Sequence, residues 1–196
     1  MCLVIIEDSS DSYPDRVRTA PEIATRALVL FGVTGVGLGA VRTEVMNWLK
    51  TDGLEDALTP RERNLFVGPE PSARQLLNAG WQSEALFVLL WALEKIDELP
   101  PANVQCNTAE LKAILPPYAE VSTRAFIDFA SRRGDSVLIA KADEILDLHW
   151  QARDAAIHKR PPHRDVNIEI IQERHHGINW VIGYDGVPWD EVTTDT

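Results

Sequence analysis

The segment over residues 72–96 constrains the fold more than any other part of the chain. Its apolar residues recur at helical spacing, and between Ala85 and Leu93 it is apolar on nearly every side. A helix without a polar face is stable only where other helices cover it, so we expect a central buried helix over residues 81–96. The apolar run is about half of the roughly 20 residues that a membrane span needs, so we expect no membrane segment.

Capping and helix-breaking residues divide the rest of the chain into further helices. Short proline-rich joints between such helices are typical of an irregular array rather than a regular bundle. We therefore predict a mainly α fold, an irregular orthogonal array of about seven or eight helices with little or no β structure. Outside the central helix, the predicted helices begin near Pro21, Val41, Pro60, Ala109, Ser122, Ser136 and Asp165.

A glycine series at Gly32, Gly35, Gly37 and Gly39 follows the first helical stripe. The series lacks the Lys-Ser/Thr ending of a phosphate-binding loop and does not have the spacing of a dinucleotide-binding turn. We therefore interpret it as a junction that interrupts the helix, not as a nucleotide site.

Length and patterning predict two unequal parts. Residues 1–20 mix a short apolar stretch with Asp, Ser and Pro. We expect them to form a loose N-terminal arm that ends either as an added strand or in disorder. Residues 21–196 are expected to form a single helical domain, because one core can still grow at this chain length.

The charge balance excludes some classes of partner. The chain carries 30 acidic and 19 basic residues, a net charge of −11. This charge repels nucleic acid and anionic membranes, so we expect neither as a partner, whereas a basic protein would be attracted. Cys2 and Cys106 do not make a disulfide framework of the secreted kind, and we expect a cytoplasmic protein.

Signals for metal binding and covalent catalysis are weak. No two of the five histidines stand four residues apart, the spacing at which two imidazoles share a metal from one helix face. A metal held by His149 and His175 from separate helices is the less favoured alternative to hydrogen-bonded core histidines. No serine stands in a strand-turn-helix elbow, and Cys106 has no histidine nearby in the sequence. We predict no metal and no cofactor.

The most informative residues are polar groups inside apolar stripes. Glu84 interrupts the stripe of the central helix, His149 that of the long helix, and His175 that of the last helix. Buried charges are costly unless they are paired. One carboxylate is therefore expected to pair with one guanidinium group, the candidates being Glu84 or Glu173 with Arg153 or Arg174. These polar groups form either a network that fixes helix register or a ligand site. We favour the network, because clustered ion pairs in proteins are more often structural than catalytic.

The last residues of the chain combine hydroxyl and carboxylate groups with two apolar anchors. Trp189 and Val192 stand three residues apart, so they can hold the segment against the domain. We predict a docked tail in preference to a solvated end.

Several of these segments resemble a known family. The segments are WQSEAL (81–86), LLWAL (89–93), LHWQARDA (148–155), ERHHGINW (173–180) and WDEVTTDT (189–196). They are similar to the family called domain of unknown function 4272, over roughly residues 20–196. The resemblance implies a cytoplasmic helical domain and lends no catalytic residue or cofactor. It also implies that one shared feature unites Glu84, His149, Arg153, Asp154, Glu173, Arg174, His175, Asn179 and the tail with Asp190, Thr193, Thr194 and Asp195.

Two classes of function remain open from the sequence. The first is a protein-binding or regulatory module that docks a basic partner, of which an immunity-like role toward a basic toxin is one version. The alternative is an enzyme or small-molecule-binding protein that uses the cluster of Glu, His, Arg and Asp residues. The oligomeric state cannot be inferred from these patterns.

Overall fold

The computed structural model describes residues 16–161 and 165–196, which form eight α-helices and no β-strand. The mainly α fold is therefore confirmed. The helices are α1 (Ala20–Gly37), α2 (Arg42–Thr51), α3 (Pro60–Val67), α4 (Ala73–Ala92), α5 (Leu111–Ile114), α6 (Thr123–Asp128), α7 (Asp135–Ile157) and α8 (Ile168–Ile182), with 3-10 turns at Glu55–Ala57, Thr108–Glu110, Tyr184–Gly186 and Trp189–Glu191. Within these ranges, no helix is both long and apolar enough to span a membrane.

Helix α4 lies at the centre of the described structure. It packs against α1 and against α8, and α7 packs against α8. The side chains of Leu86, Leu89 and Leu90 are fully buried, as expected for a helix that is apolar on nearly every side. The helix begins at Ala73, at the start of the segment predicted to be helical, because Ser72 and Gln75 form a capping box; it ends at Ala92, four residues before the predicted end at residue 96.

Helix α1 runs through most of the glycine series, so the predicted interruption is wrong. Gly37 faces α4 so closely that a Cβ atom added to it would lie 2.2 Å from the backbone nitrogen of Gly80. Glycine here allows two helices to touch through their backbones rather than breaking the first one. The sequence shows Gly37 but not the neighbour on α4 that requires a glycine there.

Two observed helix starts differ from the predicted ones. Helix α7 begins at Asp135, one position before the predicted Ser136, with Gly134 as its N-cap. Helix α8 is capped by Asn167 and not by Asp165, because the Asn167 side chain accepts hydrogen bonds from the amides of Glu169 and Ile170.

The last residues of the predicted N-terminal arm are docked, not loose. Of that arm, residues 1–15 lie outside the described residues. The Arg18 amide donates to the Val181 carbonyl at 2.8 Å, and the Arg18 guanidinium donates to the Val187 carbonyl at 2.9 Å. Gly183 has a φ of +76° and passes close to the Arg16 carbonyl, so this segment is held against the end of α8.

The C-terminal tail is docked, as predicted. Trp189 and Val192 are both buried in the core. The ring of Trp189 lies against that of Trp180 on α8, with centroids 5.6 Å apart. These contacts bring the polar end of the chain to the side of α8.

Candidate functional site

Glu84 on α4 and Arg174 on α8 form a buried ion pair. The Arg174 Nε and Nη2 atoms lie 3.0 and 2.9 Å from Glu84 Oε2, and both side chains are nearly inaccessible to solvent. The amide of Cys106 donates to Glu84 Oε1 at 2.8 Å. One of the pairings predicted from the sequence is thus confirmed.

The remaining donors of Arg174 bind backbone carbonyls in the loop after α4. Nη1 donates to the carbonyl of Pro100 and Nη2 to that of Val104. A buried guanidinium with all its donors paired is tolerated, whereas loss of one partner typically costs about 3–5 kcal/mol. This arrangement connects α4, α8 and the loop after α4. It is typical of a structural ion pair and not of a reactive centre.

A second buried group joins α7 to α8 through two histidines. The Nδ1 atoms of His149 and His175 lie 2.9 Å apart. Burial lowers the pKa of His175 to about 4, with a further contribution from His149, and it also lowers the pKa of His149. Both rings are therefore neutral at pH 7, and one donates its Nδ1 proton to the other. Within the described residues, no three His, Cys, Asp or Glu side chains converge as metal ligands.

The tail packs beside this histidine pair. The Asn179 side-chain amide donates to the Thr193 carbonyl at 3.1 Å, and Arg153 Nη1 donates to the Thr196 hydroxyl at 3.1 Å. The charge of Asp195 acts to raise the pKa of His175. Arg153 therefore contacts the chain terminus, not either of the carboxylates that the sequence offered as partners.

The predicted cluster is therefore divided rather than continuous. Asp154 lies near the end of α7, where its carboxylate contacts Arg160 and His158. Thr194 is partly exposed in the tail. Glu173 and Asp190 line a separate cavity, described next.

A polar cavity of about 510 Å³ lies between α3, α4, α8 and the turn at Trp189–Glu191. Amide side chains from three helices line it, namely those of Asn64, Gln75, Asn78, Gln82 and Gln172. Glu173, His176 and Asp190 add ionisable groups. We call this space the polar cavity.

Glu173 is the carboxyl in this cavity whose acidity is most altered. Burial raises its pKa to about 7, and the negative charge of Glu84 adds to the effect. No hydrogen bond or positive charge acts in the opposite direction. A carboxyl with this pKa can both donate and accept a proton near neutral pH.

Two buried polar atoms of the cavity walls have no hydrogen-bond partner among the described residues. They are Oε1 of Gln82 and Nε2 of His176. Burial lowers the pKa of His176 to about 4, although the nearby Trp189 backbone acts in the opposite direction. The His176 ring is therefore neutral, and its centroid lies 4.5 Å from that of Trp189.

One wall of the cavity depends on a buried ion pair that was not predicted. Arg26 Nη2 on α1 donates to both carboxylate oxygens of Glu62 at 2.8 Å, and the Arg26 guanidinium lies 5.3 Å from the Trp189 ring centre. Glu62 also accepts the Thr59 amide in the capping box of α3. The available signal was Arg26 inside the apolar stripe of α1, the same kind of signal that marked Glu84.

The comparisons identify the family and no closer relative. No curated protein and no solved structure matches the chain significantly. A family model described as "Domain of unknown function (DUF4272)" matches residues 2–192, nearly the whole chain. The chain belongs to the DUF4272 family.

Proposed function

We propose that this protein binds a small polar molecule in the polar cavity. The observation that carries the proposal is the convergence of hydrogen-bonding groups there, including the unpartnered Oε1 of Gln82 and Nε2 of His176. Buried polar groups in folded proteins are almost always hydrogen-bonded. A ligand that reaches these walls satisfies groups that the protein leaves unpaired.

Size and charge narrow the class of ligand. A volume of about 510 Å³ lies within the range of small-molecule sites. The charge of Glu62 is balanced by Arg26, so Glu173 and Asp190 face only one further cation, Arg61. This balance disfavours phosphorylated ligands. It favours an uncharged or cationic molecule that carries several hydroxyl, amide or amine groups.

The proposal covers binding and assigns no reaction. The proton affinity of Glu173 makes this residue the first candidate for acid–base chemistry if a substrate is turned over. A small-molecule-binding protein was the alternative function that the sequence left open. Of the polar residues considered there, only Glu173 and Asp190 line the polar cavity.

Competitive retention of small molecules tests the proposal. The protein would be dialysed against a defined mixture of monosaccharides, nucleosides, amino acids and polyamines, and the retained compounds measured by mass spectrometry. We expect the wild type to retain at least one class and Gln82→Met to lose it, because Met removes the polar atoms at nearly constant volume.

Gln151→Met is the matched control. Gln151 Oε1 is also buried without a partner among the described residues, but Gln151 lies on α7, outside the polar cavity. This variant should retain the same compounds as the wild type. Equal retention by Gln82→Met, or no retention by the wild type, contradicts the proposal.

We also propose a second role, the docking of a basic protein partner in the cytoplasm. The net charge of −11 supports attraction to a basic surface. The lack of a disulfide framework supports the location. The immunity-like version of this role rests on charge alone.

A further inference from the structure

An exposed apolar stripe runs along the outer side of α7. Its members are Ile139, Leu146, Trp150 and Ile157, each between 42 and 71% exposed. At about 100° per residue, these four side chains lie within about 20° of one line along the helix. The buried residues of α7, which pack against α8, lie on another side of the helix, about 100° around its axis from the stripe. The helix thus has two apolar faces, and only one is used within the described fold.

Carboxylates border this stripe on one side. Asp143 and Asp147 lie next to Leu146 along the helix, and both are exposed. Among the residues that the structure describes, neither has a cationic partner, since Asp147 accepts only from Gln151 and the nearby Lys141 is paired with Glu144. We call the apolar stripe and these two carboxylates the docking face.

We propose that the docking face binds a basic amphipathic helix of another protein. Helices bind in this way when apolar residues at i, i+3, i+4 and i+7 meet an apolar surface. The carboxylates of Asp143 and Asp147 complement lysine or arginine beside such a stripe. Between Ile139 and Ile157 the stripe is about 27 Å long, so it fits a partner helix of about five turns. This inference identifies the surface at which a basic protein partner would dock, and it rests on that second proposed role.

A second copy of this chain is the less suitable occupant. Its docking face carries the same carboxylates, and each copy has a net charge of −11. Like charges at such a contact repel. The same negative charge attracts a basic helix and repels a second copy of this chain.

A model peptide tests the inference on the full-length protein. The probe is a fluorescently labelled 18-residue peptide, about five helical turns, made of leucine and lysine arranged as an amphipathic helix. Its affinity would be measured by fluorescence anisotropy. We expect Leu146→Ser and Trp150→Ser each to weaken binding by about tenfold or more, because central apolar contacts dominate such interfaces. A scrambled peptide of equal composition should bind more weakly to the wild type.

Matched control variants distinguish binding at the docking face from non-specific binding elsewhere on the protein. Phe129→Ser removes a more exposed aromatic side chain outside the docking face, and it should leave the affinity unchanged. Asp143→Asn with Asp147→Asn should weaken binding and reduce its salt dependence. Asp97→Asn with Glu98→Gln removes the same charge elsewhere and should have a smaller effect.

The possible outcomes distinguish a failure of the docking face from a failure of the proposed role, the docking of a basic protein partner. If the peptide binds but the α7 variants bind it as well as the wild type does, the docking face is wrong while a basic partner remains possible elsewhere. If the peptide does not bind, both fail. A dimer by light scattering that Leu146→Ser dissociates would assign the face to a second copy and overturn the inference. Gln82→Met should bind the peptide normally, so this test is independent of the polar cavity.

Discussion

At the scale of single residues, burial moves the pKa values of several ionisable groups away from those they have in water. Glu173 is held partly protonated near neutral pH, and His175 and His176 are held neutral well below the usual histidine range. Each shift is caused first by burial, which penalises the charged form. The consequence is that stability and protonation are coupled at identifiable side chains.

Glu173→Gln should stabilise the protein at alkaline pH. Because the folded pKa of about 7 lies above the ordinary value of 4.5, the folded state binds the proton more tightly, and stability falls as the pH rises between these values. We expect the variant to raise the free energy of unfolding by on the order of 1–2 kcal/mol at pH 8, a value discounted for partial solvent access. Near pH 4 the difference should vanish. Urea denaturation at both pH values measures it.

Glu98→Gln is the control for that experiment, because Glu98 is exposed in the loop after α4. It should change stability little at either pH. A Glu173→Gln variant that is less stable than the wild type at pH 8 would show that the carboxylate has a stabilising partner.

At the scale of helices, packing distance is set by small residues at the crossing of α1 and α4. Gly37 meets Gly80 there, and no side chain separates the two backbones. A helix pair packed this closely cannot adjust by moving one side chain. Any added atom must move a helix.

Gly37→Ala should therefore destabilise the fold although alanine favours helices. We expect a loss of about 1–3 kcal/mol in the free energy of unfolding, because the new methyl group overlaps the backbone of α4. Gly35→Ala on the same helix is the control, since its nearest contact is an ordinary 3.7 Å. That variant should be stabilised by up to about 1 kcal/mol. Thermal unfolding of the two proteins compares them, and equal melting temperatures would contradict the assignment.

The helices themselves were largely predictable because their start signals are local. Thr59, for example, caps α3 through hydrogen bonds to groups only three residues away. The division of the polar cluster was not predictable. Arg174 and His175 are neighbours in the sequence, yet one binds Glu84 on α4 and the other meets His149 on α7. Which side of α8 faces which helix is a property of packing, and sequence spacing alone does not contain it.

At the scale of the whole molecule, buried neutral histidines should make the fold sensitive to acid. The unfolded chain binds protons at these residues near pH 6.5, whereas folded His175 and His176 bind them only near pH 4. Stability should therefore fall as the pH decreases from 6.5 to 4. Glu173 acts in the opposite direction over part of this range, so the net slope is smaller than the histidines alone would give.

His175→Gln should flatten this acid-induced loss, by on the order of 2–3 kcal/mol over the interval, because glutamine does not titrate. Denaturation curves at several pH values give the free energy of unfolding at each pH. The prediction concerns how this free energy changes with pH, not its absolute value. Gln151→Met changes a residue of α7 that does not titrate, so it should keep the wild-type slope. An unchanged slope in His175→Gln would mean that the pKa of this ring is the same in the folded and the unfolded protein, and would contradict the prediction.

The turn that carries Trp189 and Asp190 has a consequence for the whole chain, because it is both part of the docked tail and a wall of the polar cavity. Under the proposed function, a molecule bound between α8 and this turn should stabilise the docked position of the turn. By thermodynamic reciprocity, anything that pulls the terminus away weakens the hold on that molecule by the same factor. If the proposed binding occurs, a fusion or cleavage that undocks the turn at Trp189–Glu191 should weaken it, because this turn supplies two of the cavity's wall residues.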